Sequence, residues 1–316
     1  MRYVAFGLQL SSPFALPGML EREGDDDELP GLTLEILTRS MLEADWDPAG
    51  EREIWEGSLG DGRTLLVKRS RAGEHLFSYG REALFRLDAA GEQLACAPSE
   101  AGIAWQRVLL TKVLANVSLI RGYEALHASA VESPQGAVVV LAPSGTGKTA
   151  LALALACTGW PLLSDDILTL GWGPAGVRAH PGTPHVNADR RTLSGRGTRS
   201  LAAVLDVAGD ELWLAAHSTT ISPCPVRAVC LMQRGPLLSL EVEPMPASPV
   251  ALMPYMLGLA DEEGRERERF ELYGELMASA MLVRISAGER HPPELIAQRL
   301  HDLLAGVPGE PAGALA

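Results

Sequence analysis

The part of this chain that most restricts its fold is the segment from residue 137 to residue 157. It consists of an apolar run, AVVVLA, a loop of small residues, PSGTG, and an Ala- and Leu-rich run, KTALALALAC, that begins at Lys148. The first run predicts a buried strand, the Gly and Pro residues predict a loop, and the last run predicts a helix. Further short strands follow from residue 161, so the sequence predicts an α/β fold.

The loop has the composition of a phosphate-binding site. Small residues let the backbone wrap round a phosphate with its N–H groups pointing inward, a lysine reaches the phosphate oxygens, and a hydroxyl holds Mg²⁺. Ala142 stands where the usual pattern begins with glycine, so a Gly-rich turn without a ligand is the alternative. The flanking strand and helix favour phosphate binding, because they set the positive helix N-terminus under the ligand. The predicted nucleotide-binding residues are Ser144, Gly145, Thr146, Gly147, Lys148 and Thr149.

Two acidic residues and a histidine are placed in the sequence so that we expect them to lie near this loop. Asp165 and Asp166 follow a short apolar strand, and we expect that strand to lie beside the strand of the loop. His127 precedes Lys148 by 21 residues, on a strand that a tight turn folds back next to the loop strand. One carboxylate is suited to Mg²⁺, and the other to taking a proton from an attacking hydroxyl.

Taken singly, the acidic pair and the histidine have ordinary structural explanations. An Asp-Asp pair is commonly a turn or a helix cap, and a lone histidine is commonly a core residue with satisfied hydrogen bonds. The combination of His127, the loop and the acidic pair within one α/β segment favours a catalytic site.

Residues 126–170, from LHASAVE to PLLSDDILTL, resemble the catalytic domain of the HPr kinase/phosphorylase family of bacterial P-loop serine kinases. Flanking motifs carry a narrower resemblance: the opening YVAFGL, HPGTP at residues 180–184 and PCPVRAVCLMQRG before the final helices. On these motifs the chain resembles the shorter HPr-kinase-like proteins of peptide-modifying gene clusters, including those that phosphorylate the C-terminal serine of lasso-peptide precursors. The resemblance implies a P-loop kinase core that uses ATP and Mg²⁺. It also implies that Asp166 is the general base, that Thr149 and Asp165 bind the metal, and that His127 orients or polarises the acid/base group.

The chain departs from the family in one signature. The family has a glutamate shortly before Arg-Gly-x-Gly, and it supplies a metal contact and part of the phosphorylase machinery. The nearest stretch here, residues 193–199, lacks that glutamate and the final glycine. The resemblance therefore does not extend to phosphorolysis or to HPr as the substrate.

Four regions are predicted along the chain. Short strands and Gly-rich turns indicate a β-rich α+β N-terminal domain at residues 1–98, mostly antiparallel, which we expect to recognise a substrate or leader segment. A helix at residues 99–122 is predicted to connect it to a P-loop kinase domain at residues 123–306, which ends in helices. Residues 307–316 are expected to form a flexible tail.

Charge and composition exclude some classes of protein. The 316 residues carry a formal net charge of −13, which argues against a nucleic-acid partner. No apolar run is long enough to cross a membrane, and the four cysteines have neither metal-binding nor paired spacing. We expect a cytoplasmic protein without a membrane or nucleic-acid partner, and a homo-oligomer is left open.

The stretch from residue 173 to 199 is rich in Gly, Pro and Arg. It is interpreted as a solvated loop or, alternatively, as a clamp on substrate or phosphate, since arginine pairs well with phosphate oxygens. The clamp residues would be His180, Arg191, Arg196 and Arg199. Arg234, after the strand VRAVCLMQ, is a further arginine candidate.

Three functions fit this sequence. The first is an ATP- and Mg²⁺-dependent kinase that phosphorylates a serine of a peptide or small protein, with the C-terminal serine of a lasso-type precursor as one acceptor. The second is a kinase with a small-molecule acceptor. The third is a nucleotide-binding regulatory or assembly module with little turnover, which the presence of both Asp165 and Asp166 disfavours, since binding needs only the loop.

Overall fold

The structure is a computed structural model of the whole chain. It describes residues 1–24, 29–44, 46–58, 64–99, 102–189, 202–208, 210–259 and 264–306. The chain divides into two compact units, one of Met1–Glu124 with Gly258–Arg265 and one of Ala125–Leu257 with Glu266–Ala316. The expected tail at residues 307–316 lies outside the described residues.

The first unit is built on an eight-stranded sheet, with a short helix, α1 (Arg39–Ala44), after its third strand. Its strands are β1 (Arg2–Ala5), β2 (Leu8–Ser11), β3 (Gly31–Ile36), β4 (Arg52–Ser58), β5 (Thr64–Arg69), β6 (His75–Tyr79), β7 (Ala83–Leu87) and β8 (Gln93–Pro98). Their order in space is β1-β2-β3-β8-β7-β6-β5-β4. Among the strand pairs described, those made by β3 are parallel and the others antiparallel, so the sheet is mixed.

Alternating burial explains why these residues form strands. Leu65, Val67, Phe77 and Tyr79 are buried, and the residues between them are more exposed. Successive side chains of a strand point to opposite faces, so this pattern buries one face of the sheet. Hydrophobic residues at every second position therefore define the core of the first unit.

A helical segment follows the sheet and belongs to the first unit. The segment was expected at residues 99–122; it begins at Ala104 and ends at Ile120. It consists of α2 (Ala104–Val108), a π-helical turn (Leu109–Val113) and α3 (Leu114–Ile120). Its Trp105 packs against Phe14 and Phe85, with ring centroids 5.4 Å and 6.5 Å away.

The first unit contains an ion pair between a buried carboxylate and a partly buried guanidinium. The side chain of Glu124 is 2% exposed, and Nη2 of Arg265 lies 2.8 Å from its Oε1. The same guanidinium donates hydrogen bonds to the carbonyl oxygens of Leu119 and Gly122, at 3.0 Å and 2.8 Å. A segment that follows residue 257 is therefore tied to the first unit by charge and by backbone hydrogen bonds.

The second unit contains a ten-stranded sheet. Its strands are β9 (Glu124–Leu126), β10 (Ala128–Ser133), β11 (Gly136–Leu141), β12 (Leu162–Ser164), β13 (Leu168–Gly173), β14 (Gly176–His180), β18 (Cys224–Gly235), β19 (Glu241–Met245), β20 (Met256–Leu257) and β21 (Met281–Gly288). The main order is β12-β10-β11-β18-β14-β13-β9-β20, and β21 pairs with β18 and β19. The neighbours β11, β18 and β21 are parallel.

Helices cover both faces of this sheet, so β11 is buried along its whole length. Its Val138 and Val140 pack in one core with α4 (Lys148–Ala156) and α6 (Pro293–Gly306). Its Ala137, Val139 and Leu141 face a second core with α5 (Glu266–Ser279). A continuous apolar run is typical of a strand buried on both faces.

The second unit ends in helices, as expected, but it also contains a strand there that the sequence did not predict. A 3₁₀ helix (Pro249–Tyr255), α5 and α6 are present, but β21 lies between α5 and α6. Its sequence, MLVRISAG, has the buried apolar residues of an interior strand. Pairing with β18 on one side and β19 on the other satisfies its backbone.

A small antiparallel sheet completes the second unit. It consists of β15 (His185–Asp189), β17 (Glu211–Ala216) and β16 (Ala202–Ala208), in that spatial order. Trp213 is fully buried and stacks on His185, with 4.6 Å between ring centroids. Both β14 and β15 lie in the stretch that was interpreted as a solvated loop.

Across the described residues, no helix has the length and apolar character that a membrane crossing requires.

Candidate functional site

The Gly-rich loop joins β11 to α4, as the sequence predicted. β11 ends at Leu141 and α4 begins at Lys148. Gly145 and Gly147 have φ angles of 76° and 97°, in the left-handed region that favours glycine. Nζ of Lys148 donates a hydrogen bond to the carbonyl oxygen of Ala142, at 2.9 Å. The loop thus folds back on itself in front of the N-terminus of α4, which is the end of a helix that attracts anions.

The two strands that carry Asp165 and the loop are not neighbours, so one expectation is wrong. β12 precedes Asp165 and pairs with β10, and β10 pairs with β11. One strand therefore lies between them. The hairpin of β10 and β11 was expected, and it brings His127, the residue just before β10, towards the loop.

The intervening strand supplies a residue that sequence reasoning missed. Oγ of Ser129, on β10, donates to Oδ1 of Asp165 at 2.5 Å. Oγ1 of Thr149 donates to the same carboxylate, with distances of 3.0 Å and 3.1 Å to its two oxygens. The carboxylate of Asp165 is thus held between β10 and the first turn of α4.

Burial raises the pKa of Asp165 to about 6, and the charge of Asp166 adds to this rise. The hydrogen bonds from Ser129 and Thr149 act in the opposite direction, because they stabilise the ionised form. A bound cation would favour the ionised carboxylate further. We therefore expect the carboxyl group of Asp165 to ionise fully when a cation binds beside it.

Asp166 has an unusual backbone conformation, with a φ angle of 68°. The amide N–H of Ile167 donates to the carbonyl oxygen of Asp165 at 2.9 Å, so Asp166 is the central residue of a γ-turn. Oγ of Ser164 donates to the carbonyl oxygen of Ile167 at 2.5 Å and supports the turn. Positive φ at a residue other than glycine costs on the order of 1–3 kcal/mol and often occurs at functional sites.

His127 links Lys148 to Asp166. Its Nε2 lies 3.1 Å from Nζ of Lys148, and its Nδ1 lies 3.2 Å from Oδ1 of Asp166. An ammonium group can only donate, so Nε2 accepts and the proton of the neutral ring is on Nδ1, which donates to the carbonyl oxygen of Asp166 at 3.0 Å. Burial lowers the pKa of Lys148, and the charges of Asp166 and Asp165 oppose this.

These groups face one cavity of about 390 Å³. Its lining residues are His127, Ser129, Ser144, Gly145, Gly147, Lys148, Thr149, Ala150, Asp166, Asn187, Ala188, Asp189 and Glu211. Of the residues predicted for catalysis, metal binding and nucleotide binding, two do not line it directly. Asp165 contacts it through Thr149, and the amide of Thr146 donates to the carbonyl oxygen of Pro143 within the loop.

Besides Ser129, three polar lining residues were not predicted. Asn187 and Asp189 alternate along β15, and Glu211 stands opposite Asp189 on β17. Residues two apart in a strand share a face, so these side chains come to one side of the small sheet. The alternation of polar and apolar residues in HVNAD was the available signal.

Of the four residues named for the alternative clamp interpretation, the structure describes only His180. Arg191, Arg196 and Arg199 lie outside the described residues. His180 is 5% exposed at the end of β14 and does not line the cavity. Burial, with the charge of Arg178, lowers the pKa of His180 to about 4. We therefore do not propose His180 as a substrate contact.

The donor set is consistent with Mg²⁺. The hydroxyl of Thr149 and the carboxylate of Asp165 are hard oxygen ligands beside the phosphate loop. Within the described ranges, no group of three or more His, Cys, Asp or Glu residues is arranged for a metal. Mg²⁺ is usually held by one or two carboxylates together with water and substrate phosphates, so a larger protein cage is not needed.

Comparison with known proteins gives little further guidance. No protein-family model matches the chain, and no curated protein sequence matches it. Among solved structures, the chain is similar to the HPr(Ser) kinase/phosphatase from Coxiella burnetii, at 15% sequence identity. The match covers 57% of this chain and 96% of that one, with a TM-score of 0.28, which is too low to assign an activity.

Proposed function

We propose that this protein is a kinase that uses ATP and Mg²⁺ to phosphorylate a hydroxyl group. One observation carries the proposal: a phosphate-type loop and two carboxylates are joined by hydrogen bonds at a single cavity. Thr149 bonds Asp165, and His127 bridges Lys148 and Asp166. Phosphoryl transfer needs positioned phosphates, charge neutralisation and one base, and these residues supply each of them.

In the proposed site, the loop and Lys148 hold the phosphates of ATP. Residues of the loop and the first two residues of α4, Lys148 and Thr149, line the same cavity. Thr149 and Asp165 would hold Mg²⁺, which supplies neutralisation of the phosphate charge when bound. The remaining chemistry is assigned to residues of the chain.

Asp166 is the proposed general base. Its carboxylate takes the proton of the acceptor hydroxyl as the acceptor oxygen bonds to the terminal phosphorus. The bond from that phosphorus to the bridging oxygen breaks, and ADP leaves with the bond electrons. His127 orients the base, since its Nδ1–H donates to the carbonyl oxygen of Asp166 at 3.0 Å and lies beside the carboxylate, with Nδ1 3.2 Å from Oδ1.

The acceptor is proposed to be a serine of a peptide or small protein. Support comes from the resemblance of residues 126–170 to serine kinases, and the C-terminal serine of a lasso-type precursor is the specific case that the flanking motifs favour. The sheet of the first unit offers β4 at the end of its strand order, and an extended substrate segment could pair with such an edge.

The test uses the full-length protein and isothermal titration calorimetry with Mg·ATP. Wild type should bind, and Lys148→Ala should weaken binding at least about a hundredfold, because a desolvated lysine–phosphate contact is lost. Arg299→Gln, which removes one positive charge from an exposed position on α6, is the matched control. Absence of binding by wild type, or equal binding by Lys148→Ala, would refute the nucleotide site.

A second experiment tests transfer. Wild type is incubated with Mg·ATP and synthetic lasso-type precursor peptides that end in serine, and mass spectrometry then locates phosphate on serine. If ATP binds, no peptide gains phosphate, and ATP turnover is unchanged by Asp166→Asn, a nucleotide-binding regulatory module is the better description. Phosphate on a small alcohol but on no peptide would instead identify a small-molecule kinase.

A further inference from the structure

Arg234 stands beside the phosphate loop although it is 86 residues away from Lys148 in the sequence. It lies near the C-terminal end of β18, the parallel neighbour of the loop strand β11. Leu141, the last residue of β11, is in register with Leu231, so β18 extends beyond this level to Arg234. In parallel sheets, ligands bind at the C-terminal ends of strands, which is the edge where Arg234 lies.

The guanidinium of Arg234 is held in place by a turn that follows β21. Its Nη2 donates to the carbonyl oxygens of Gly288, at 3.4 Å, and of His291. The turn itself is fixed by two hydrogen bonds, from the amide of His291 to the carbonyl oxygen of Gly288 and from the amide of Gly288 to Nδ1 of His291. One side of the guanidinium is therefore anchored on backbone.

The other side of the guanidinium faces the loop. Nη1 lies 3.5 Å from the position that a β-carbon on Gly147 would occupy. Nε is buried and, among the described residues, has no hydrogen-bond partner. The described residues also include no carboxylate paired with Arg234, in contrast to the paired Arg265 and Arg284.

A partly buried cation without an anion nearby is unfavourable, because it has lost water without gaining a counter-charge. Phosphate oxygens bound at the loop would supply that counter-charge and would accept hydrogen bonds from donors that are still available. Arginine suits such a position, since its planar donors match phosphate geometry and its charge is permanent.

We propose that Arg234 is a second phosphate-binding cation of this site and contacts the phosphate chain of the bound nucleotide. The inference rests on the proposed nucleotide site and adds a residue to it. Lys148 and Arg234 would then contact the phosphates from α4 and from β18, two elements that the β11–β18 pairing brings together.

The test compares binding of Mg·ADP and of inorganic pyrophosphate to the full-length protein by calorimetry. Arg234→Gln should weaken both ligands by about tenfold to a hundredfold, the usual range for one charge-assisted contact. Arg234→Lys should fall between Arg234→Gln and wild type, because it keeps the charge but not the fork of donors. Arg299→Gln should bind like wild type, and circular dichroism should report the same fold for every variant.

The outcomes separate this inference from the proposed function. If wild type binds Mg·ADP, Lys148→Ala does not, and Arg234→Gln binds within twofold of Arg299→Gln, the role of Arg234 is refuted while the site stands. A loss for Mg·ADP without a loss for pyrophosphate refutes the phosphate contact. If Arg234→Gln does not fold, wild-type affinity in Arg234→Lys refutes a role for the forked donors. Failure of wild type to bind refutes the site and the inference together.

Discussion

The residues that line the cavity come from two regions that are organised differently. One region, from His127 to Asp166, carries its groups on a hairpin, a loop and a γ-turn within 40 residues. The other region is the small sheet, where Asn187 and Asp189 on β15 meet Glu211 on β17. The first holds its side chains by backbone geometry and a hydrogen-bonded chain, and the second holds them by strand register.

From this difference we expect the first region to carry out phosphoryl transfer and the second to recognise the acceptor. Loop glycines, the turn at Asp166 and the His127 bridge fix atoms tightly enough for phosphoryl transfer, which depends on positioning. Polar side chains on a strand face can vary without disturbing the backbone, as acceptor recognition requires. Changes in the first region should therefore abolish turnover, and changes in the second should alter the choice of acceptor.

The largest effect is expected for Asp166→Asn. Loss of the base should lower kcat by about 10²- to 10⁴-fold, the usual contribution of general base catalysis. Asparagine tolerates positive φ, so the γ-turn should survive. Rapid-quench kinetics would measure kcat, and calorimetry should give an unchanged Kd for Mg·ATP. A variant that retains more than a tenth of wild-type kcat would contradict the assignment.

An intermediate effect is expected for Asp165→Asn, and it concerns stability. The folded protein keeps the proton of Asp165 up to a pKa of about 6, whereas the unfolded chain loses it near the ordinary value of 3.8. The unfolded state therefore binds fewer protons between these pH values, and stability falls as pH rises through the window. Removing the charge should raise the free energy of unfolding at pH 7 by about 1–3 kcal/mol without metal.

Urea denaturation at pH 7 and at pH 4 would measure this effect. The gain should be largest at pH 7 and should nearly vanish at pH 4, where the carboxyl group is protonated in the folded state. Asp302→Asn, at an exposed position on α6, provides a control without such a gain. Equal gains at both pH values would show that packing, rather than charge, is responsible.

The smallest effect is expected in the second region. Glu211→Gln removes one charge from the cavity and should change the KM for the acceptor by about threefold to tenfold, the scale of a single partly exposed polar contact. The KM for ATP should remain within twofold. Glu275→Gln, on the exposed side of α5, is the matched control. An effect on the KM for ATP alone would remove the distinction between the two regions.

Sequence reasoning found the parts of the site that depend on local chain geometry. The loop from Ala142 to Gly147, the helix at Lys148 and the acidic pair each have signals within a few residues. Ser129 was missed because its importance comes from β10 lying between β11 and β12, a pairing order that no local pattern encodes.

The errors in the fold have the same origin. β14 and β15 lie in a Gly-, Pro- and Arg-rich stretch whose composition indicates a loop, and their partners β18 and β17 supply the backbone hydrogen bonds that decide otherwise. β21 was hidden between helix signals and depends on β18, about 50 residues earlier. Arg234 reaches the loop through the same long-range pairing.

The ion pair between Glu124 and Arg265 also sets an order of events during synthesis. The two residues are 141 positions apart, and most of the second unit lies between them in the sequence. At about 5–20 residues per second, the ribosome needs on the order of ten seconds to add that stretch. Until then the nascent first unit lacks the cation for a carboxylate that ends 2% exposed, so this ion pair can form only after Arg265 has emerged.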